Sequence, residues 1–277
     1  MPPEGYTLAW RDEFDYGEDL SDNWYFESGG TGWGNKERQY YCAGGTIDLG
    51  SGKNKTTYNT AAISSDGTLK ITAYKVTASS STANKSYISA RMNTNDSWKY
   101  GYIEMRAKLP IKAGCWSAFW MLPQYGSSWV RDSSMDGGEL DIIEHVPNDG
   151  VNNIYFSAHS YYSTGEAEGE GDYVGYVHPV TGDTYSYHSY GTVADPTAWH
   201  TYSMLWTQTE IRAFIDGEQY YYAPNPYPGT VNLPYWGFEQ EFYIKLNLAV
   251  GGDWGGTPAS DFSAETFEID YVRVYQQ

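Results

Sequence analysis

Apolar and polar side chains alternate along short stretches of this chain, and the clearest stretch runs from Tyr100 to Leu109. A period of two places successive side chains on opposite faces of a β-strand. The apolar positions here are Ile103, Met105, Ala107 and Leu109, and the positions between them are Tyr102, Glu104, Arg106 and Lys108. We therefore predict a strand with one buried face.

Similar runs recur along the whole chain between clusters of Gly, Asn, Asp and Ser, and helical periodicity is nearly absent. Further strands are predicted over residues 6–14, 69–77, 87–92, 114–122, 138–145, 154–161, 199–206, 210–215, 242–248 and 267–275. Many short strands separated by turns are typical of an all-β sandwich or jelly roll. Residues 123–138 and 165–195 are expected to be loops, the second at the edge of a cleft. No shift in composition divides the chain, so we expect one domain over residues 1–277.

The composition restricts the partners of the protein. Its formal net charge is −18, with only 17 Lys plus Arg. Such an acidic chain disfavours nucleic acid, an anionic membrane surface and a sulfated or uronic-acid polymer. The 28 Tyr and 11 Trp favour a sugar-binding cleft, because aromatic rings match the C–H faces of pyranose rings. Rich aromatic content is also ordinary in β-proteins, but the Trp count favours a cleft for a neutral ligand.

The sequence also bears on location. No stretch approaches the roughly 18–20 apolar residues of a membrane span, so no span is expected. We expect an exported protein whose signal peptide has been removed, because Met1-Pro2-Pro3 has the form of an expression start on a trimmed sequence. The cysteines Cys42 and Cys115 fit either one disulfide or two buried thiols, and the sequence leaves both open.

Three carboxylates lie within six residues in the run Glu139-Leu140-Asp141-Ile142-Ile143-Glu144. Gly137-Gly138 precedes the run and Pro147 follows it, so the window is short and favours a strand. On a strand Glu139 and Asp141 share a face, whereas the odd spacing to Glu144 would turn it to the opposite face. One β-bulge between Asp141 and Glu144 would restore all three to one face.

Such a row of carboxylates repels itself, so some members should hold protons where an isolated Glu would not. One ionised and one protonated carboxyl group are what glycoside hydrolysis needs. The chain has 35 Asp plus Glu, so a cluster of this density is not improbable by chance. A calcium site and a solvated edge strand therefore remain alternatives for the run taken alone.

The surrounding motifs extend this interpretation. They are Trp10-Arg11-Asp12-Glu13-Phe14, Gly32-Trp33-Gly34-Asn35, Ala118-Phe119-Trp120-Met121-Leu122, the carboxylate run, Asn247-Leu248-Ala249-Val250-Gly251-Gly252 and Asp270-Tyr271-Val272-Arg273-Val274-Tyr275. In these motifs and their order the chain resembles glycoside hydrolase family 16, and within it the laminarinase-like endo-β-1,3-glucanases. The extra residue in the carboxylate run resembles the bulged form of laminarinases and agarases.

The resemblance implies a β-jelly-roll sandwich of two antiparallel sheets, with an open substrate groove on the concave face. It implies a retaining endo-β-glucanase that acts on β-1,3-glucan, with mixed-linkage β-1,3-1,4-glucan left open, and that needs no cofactor for catalysis. Glu139 would be the nucleophile, Glu144 the acid/base and Asp141 the assistant between them. A neutral galactan such as agarose, and a glucan-binding lectin without catalysis, are the alternatives. A monomer is expected.

The resemblance also implies substrate-binding residues. Trp120 matches the tryptophan beneath the sugar at the cleavage point, and Trp116 would line the same face; ordinary core packing is the alternative for both. The polar groups that match are Asn35, Arg91, Asn247 and His159. Hydrogen bonding within loops and strand ends would explain them equally without a substrate.

The resemblance also implies a structural calcium ion away from the groove, with Glu13, Asp270 and the carbonyl of Gly45 as ligands. Such an ion would fasten the first and last strands together, and plain surface acids are the alternative. The chain departs from the family pattern at Cys42, Cys115 and Arg38.

Overall fold

The computed structural model describes residues 1–124, 138–159, 176–177, 184–185, 188–225 and 236–277. The strands of the first half are β1 (Thr7–Asp12), β2 (Trp24–Phe26), β3 (Gln39–Tyr41), β4 (Thr46–Leu49), β5 (Thr56–Asn59), β6 (Ala61–Ile63), β7 (Leu69–Lys75), β8 (Tyr87–Ser89), β9 (Arg91–Thr94), β10 (Gly101–Lys108) and β11 (Cys115–Pro123). The later strands are β12 (Glu139–His145), β13 (Asn153–His159), β14 (Tyr176–Val177), β15 (Thr184–Tyr185), β16 (His188–Thr192), β17 (His200–Trp206), β18 (Glu210–Ile215), β19 (Glu218–Pro224), β20 (Phe242–Val250) and β21 (Ala264–Gln276). A short helix, α1, spans Gly252–Gly255, and 3-10 turns lie at Leu20–Asp22, Ala43–Gly45, Gly52–Asn54, Ser80–Thr82 and Pro147–Asp149.

Two large sheets account for most of these strands. A ten-stranded sheet runs β19-β18-β17-β10-β21-β7-β8-β3, with β1 also paired to β21 and β6 to β7. A seven-stranded sheet runs β16-β13-β12-β11-β20-β9-β2. Within the described ranges the strands pair in antiparallel fashion, except that β3 and β8 run parallel. The predicted β-jelly-roll sandwich is confirmed, with this one parallel pair as the departure from purely antiparallel sheets.

The main core consists of apolar side chains from both sheets in one continuous cluster. The ten-stranded sheet contributes residues such as Ile71, Ile103, Met105, Met204 and Val272, and the seven-stranded sheet contributes Phe119, Met121, Leu140, Ile154 and Leu246. Along β11, Phe119 and Met121 face this core, and the alternating positions Trp116 and Trp120 lie on the opposite face. Burial of these side chains is the main favourable contribution to folding.

The polar face of β10 is more deeply buried than its alternation predicts. Tyr102 is 4% exposed and Glu104 is 6% exposed. The hydroxyl of Tyr271 donates to Glu104 at 2.9 Å, and Tyr102 shares a hydrogen bond of 2.8 Å with Ser203. Side chains from the neighbouring strands β17 and β21 therefore cover this face and satisfy its polar groups.

The predicted loop 165–195 needs correction, and much of both predicted loops lies outside the described residues. Residues 188–192 fall in the predicted loop 165–195, but they form β16, which pairs with β13 at the edge of the seven-stranded sheet. Its residues are exposed or half-buried, so no apolar alternation indicates a strand there. The rest of the predicted loop 165–195 lies outside the described residues, except for β14, β15 and residues 193–195. Of the predicted loop 123–138, residues 125–137 also lie outside the described residues.

The two cysteines are free thiols, and both are buried. Burial raises the pKa of the Cys42 thiol to about 11. The sequence left a disulfide and two thiols open, and the structure shows the thiols. Among the described residues no helix is long and apolar enough to cross a membrane.

Candidate active site

The carboxylates lie on β12, in the middle of the seven-stranded sheet between β11 and β13. The register with β13 shifts between Asp141 and Glu144, which is the predicted bulge. Glu139 pairs with His159, Asp141 with Ser157 and Glu144 with Tyr155. Because alternate residues of β13 share one face, the three carboxylates share it too.

The opposite side of β12 anchors this row in the core. Leu140, Ile142 and Ile143 are all 0% exposed, so both isoleucines lie beneath the carboxylates. At the start of the strand, a Cβ atom on Gly138 would lie 2.9 Å from the carbonyl oxygen of Gly237. Only glycine allows this close approach, so Gly138 fixes where Glu139 enters the sheet.

Glu139, Asp141 and His159 form the tightest part of the site. Asp141 is 3% exposed, and its Oδ2 lies 3.1 Å from Nε2 of His159. The neighbouring carboxyl group of Glu139 lowers the pKa of Asp141 by hydrogen bonding, which partly offsets the larger rise caused by burial. His159 thus lies beside Asp141, on the face that carries the three carboxylates.

Two aromatic residues flank Glu144. The indole Nε1–H of Trp116 donates to Oε1 of Glu144 at 3.0 Å. The ring of Trp254 packs edge-on against Trp116, with centroids 5.5 Å apart, and its own Nε1–H donates to Asp149 at 2.7 Å. Trp116 is therefore a hydrogen-bonding residue of the site and not part of the core.

The electrostatics of the three carboxylates differ from one another. Burial raises the pKa of Glu139 to about 8, and the charge of Asp141 adds to the rise, whereas His159, Arg91 and Lys245 lower it. Burial also raises the pKa of Asp141 to about 8. Burial and then the charge of Asp141 raise the pKa of Glu144 well above its ordinary value. Arg91 and Lys245 favour the ionised form of Glu139 and the charge of Asp141 opposes it, so the carboxylates titrate as one coupled group.

Trp120, Asn247 and Arg91 form a second group beside the carboxylates. Nε1–H of Trp120 donates to Oδ1 of Asn247 at 2.7 Å. The guanidinium of Arg91 lies 4.8 Å from the ring centroid of Trp120 and 4.8 Å from that of Trp33. The structure therefore brings these three predicted residues together on the face of the carboxylates.

Asn35 lies at the edge of this group. It is exposed, its Nδ2 donates to Oε1 of Glu37 at 3.4 Å, and its carbonyl accepts from the backbone of Asp253 at 2.8 Å. These contacts join the loop that carries Trp33 to the start of α1. Trp33 itself has a φ of 53°, a conformation that costs a non-glycine residue about 1 kcal/mol or more.

Sequence reasoning missed two charged residues beneath Trp120. Lys245 is 0% exposed, and its Nζ donates to Oε1 of Glu27 at 2.8 Å. Glu27 also pairs through Oε2 with Nε of Arg91 at 2.5 Å. The signal for Lys245 was the alternation of Tyr243, Lys245 and Asn247 against apolar residues, which places Lys245 on the face of Asn247.

The predicted calcium ligands each have another partner. Both carboxylate oxygens of Glu13 accept from Arg273, at 2.8 and 2.7 Å. Asp270 accepts from Arg106 at 2.6 Å, and the carbonyl of Gly45 accepts from the backbone N–H of Thr60 at 2.7 Å. Among the described residues, the one group of three His, Cys, Asp or Glu side chains with ligand atoms within 4.8 Å of one another is Glu139, Asp141 and His159, within the site itself.

An ionised and a protonated carboxyl group on one strand face can together attack and protonate an acetal.

Comparison with known proteins supports this interpretation. The family described as "Glycosyl hydrolases family 16" matches residues 51–273. The curated β-glucanase of Rhodothermus marinus is 34% identical over 98% of this chain and 85% of its own length.

Solved structures give the same result. The laminarinase catalytic domain of Thermotoga maritima has a TM-score of 0.72 and 30% identity, over 98% of each chain. SCLam, a non-specific endo-β-1,3(4)-glucanase from family GH16, has a TM-score of 0.75 and 31% identity, over 100% of this chain and 93% of its own.

Proposed function

Since the chain belongs to family 16 of the glycosyl hydrolases, we propose that Glu139, Asp141 and Glu144 carry out a retaining, endo-acting cleavage of β-glucan. The observation that carries the proposal is the bulge of β12, which puts the three carboxylates on one face. Retaining enzymes hold their two reacting carboxyl groups about 5–5.5 Å apart, which requires both on one face of the sheet. The family needs no cofactor for this reaction.

In the first step, protonated Glu144 donates its proton to the glycosidic oxygen while the carboxylate of Glu139 attacks the anomeric carbon. The glycosidic C–O bond breaks, and an ester joins the sugar to Glu139. In the second step, ionised Glu144 takes a proton from water, the water oxygen attacks the anomeric carbon, and Glu139 leaves as a carboxylate. Asp141 supports both steps by sharing a proton with Glu139, and His159 holds Asp141.

The groove residues would recognise the sugars. The indole of Trp120 offers an apolar face near the reacting ring, and Asn247 fixes its orientation. Arg91 can donate to hydroxyl groups, and Trp116 both contacts Glu144 and lines the leaving-group side. Asn35 and His159 add polar groups at the edges of this surface.

The substrate is a β-1,3-glucan such as laminarin, because the relatives are named as β-glucanase, laminarinase and endo-β-1,3(4)-glucanase. Mixed-linkage β-1,3-1,4-glucan is included because SCLam is named as non-specific. The net charge of −18 fits a neutral polymer. We further propose that the protein is exported and acts as a monomer with a single domain over residues 1–277.

Product analysis tests the proposal directly. We expect laminarin and barley mixed-linkage glucan to give short oligosaccharides early in the reaction, with β-anomers as the first products by NMR. Agarose should remain intact, because the groove is proposed to fit glucose units. Release of galactan fragments from agarose in place of glucan fragments would replace the substrate assignment, and binding of laminarin without cleavage would replace hydrolysis by a lectin function.

Substitution of the two glutamates tests their roles. Glu139→Gln and Glu144→Gln should each lower kcat on laminarin by about a thousandfold or more, because each removes a reacting group. The matched control is Glu218→Gln on β19 of the other sheet, which should keep normal activity. Azide should restore turnover to Glu139→Gly by replacing the missing nucleophile, and the product should be a glycosyl azide of inverted configuration. Normal turnover in a folded Glu139→Gln variant would remove Glu139 from the mechanism.

The pH profile follows from the raised pKa values. Activity needs Glu139 ionised, and its pKa is raised from 4.5 to about 8 by burial, so activity should fall as pH drops through a limb above 4.5. Glu144 must hold a proton, and burial and the charge of Asp141 raise its pKa well above the ordinary value, so activity should also fall as the pH rises through the second limb. We expect a bell-shaped plot of log kcat/KM, with limbs that belong to the coupled group. A rate that is constant from about pH 4 to 9 would contradict this.

The structural calcium ion stays a prediction that the observed ion pairs do not favour. A calcium ion needs about six to eight oxygen ligands, and the oxygens of Glu13 and Asp270 are held by arginines. On these contacts we expect the melting temperature to be the same with EDTA and with added calcium. A melting temperature that calcium raises and EDTA lowers, and that loses this response in Asp270→Asn, would establish the site.

A further inference from the structure

An aromatic cluster lies beside Glu144 on the face of the carboxylates. The ring of Trp254 packs edge-on against Trp116, with centroids 5.5 Å apart, and edge-on against Tyr155, with centroids 5.0 Å apart. Tyr155 is the register partner of Glu144 on β13, and Trp116 donates to Glu144 from β11. Trp254 therefore contacts both neighbours of Glu144.

Trp254 is oriented by the turn that follows β12. Its Nε1–H donates to Oδ2 of Asp149 at 2.7 Å. The hydroxyl of Tyr155 donates to the backbone carbonyl of Asp149 at 3.1 Å, so one residue of the turn holds both rings. A hydrogen bond to a carboxylate is about twice as strong as one between neutral groups. Asp149 can therefore orient Trp254 although its own side chain is exposed.

The turn that carries Asp149 is itself anchored to β11 and α1. Oδ1 of Asn148 accepts from the backbone N–H of Gly114, directly before β11, at 2.9 Å. A Cβ atom on Gly256, directly after α1, would lie 2.4 Å from Nδ2 of Asn148. Gly256 has a φ of 69°, which glycine adopts without steric cost. The close approach that this glycine allows sets the position of Asp149 relative to Trp254.

The contact with Trp116 distinguishes the two carboxyl oxygens of Glu144. An indole N–H can only donate, so Oε1 of Glu144 accepts its hydrogen bond at 3.0 Å. In a protonated carboxyl group the carbonyl oxygen is the better acceptor, so the proton belongs on Oε2. Trp116 therefore determines which oxygen of Glu144 can act as the acid.

We propose that Trp254 and Asp149 are positioning residues for the hydrolysis, which hold the indole of Trp116 against Oε1 of Glu144 and so keep the acidic proton on Oε2. The proposal rests on the proposed function, in which Glu144 gives this proton to the glycosidic oxygen as the C–O bond breaks. General acid catalysis contributes about 10²–10⁴ in rate and requires the acid within hydrogen-bond reach, so a misplaced proton slows this step.

Leaving groups of different acidity test the proposal. A dinitrophenyl group departs as a stable anion and needs no proton, whereas a phenyl group and a sugar need one. Trp254→Phe keeps a ring but loses the N–H. It should lower kcat/KM about fivefold to tenfold on laminarin and on phenyl β-laminaribioside, and by less than about twofold on dinitrophenyl β-laminaribioside. Trp116→Phe should show the same pattern with a loss of about a hundredfold.

Two substitutions of Asp149 separate its hydrogen bond from its charge. Asp149→Ala removes both, and it should reproduce the effect of Trp254→Phe. Asp149→Asn removes the charge but keeps an acceptor for the indole N–H, so it should restore most of the activity that Asp149→Ala loses. Equal losses in the two variants would overturn the proposal, because the charge alone would then explain them.

The matched control for the tryptophan is Trp199→Phe on the other sheet. The ring centroid of Trp199 lies 4.8 Å from the guanidinium of Arg106 and away from Glu144. This substitution should leave kcat/KM unchanged on all three substrates. If Trp254→Phe does not fold, the two variants of Asp149 decide, since that side chain is exposed.

The division of the loss between kcat and KM excludes two simpler roles for Trp254. On laminarin we expect the loss in kcat, with KM changed by less than about twofold. A rise in KM with unchanged kcat would make Trp254 a sugar-binding wall only and would overturn the proposal. Losses of equal size for all three leaving groups would also overturn it, because they would show a general structural effect.

Hydrogen exchange of the Trp116 indole, followed by ¹⁵N–¹H NMR, needs no turnover. Exchange of this N–H should be about tenfold faster in Asp149→Ala and Trp254→Phe than in the wild type, and close to the wild-type rate in Asp149→Asn. Unchanged exchange in folded Asp149→Ala would overturn the proposal whatever the substrate is. If the exchange rates change as expected but the wild type cleaves none of the three glycosides, the proposed function fails and the positioning of Trp116 is supported.

Discussion

The crowding of three carboxyl groups on one face of β12 is the constraint on which the rest of the site depends. A regular strand would turn Glu144 into the apolar core, where an unpaired carboxylate costs several kcal/mol. The bulge removes that cost by turning Glu144 to the groove, and it leaves Leu140, Ile142 and Ile143 to fill the core. Folding and the mechanism that we propose therefore depend on the same extra residue.

Crowding then determines what the neighbouring strands must provide. Three carboxyl groups this close together cannot all ionise. The site is therefore stable only when bound protons, hydrogen-bond donors and nearby cations leave the negative charge unequally distributed among them. Trp116 donates to Glu144 on one side, and His159 contacts Asp141 on the other. The positive groups beyond Trp120 favour the charge on Glu139. In the mechanism that we propose, this unequal division assigns one carboxyl group to attack and another to protonation.

Much of this was predictable from sequence because it is local. The alternation in β10 and β11, the bulge of β12 and the shared face of Trp116 and Trp120 follow from spacing along one strand. The edge strand β16 was missed because its residues bury no apolar face that a pattern could show. The partners of Glu13 and Asp270 were missed for a different reason. Each partner is an arginine on another strand, and no local spacing specifies which charges will meet.

The buried side chain of Lys245 shows the limit of local reasoning most clearly. Lys245 stands in an apolar run, and the sequence alone gives no reason for a lysine at a fully buried position. The reason lies in the rows across the sheet, which bring together Glu27 after β2, Arg91 on β9 and Trp120 on β11. None of these residues is within 25 positions of Lys245 in the chain, whereas all lie within two strands of it. A buried charge of this kind is stable only after the sheet has formed, so its partners can be identified from register and not from motif.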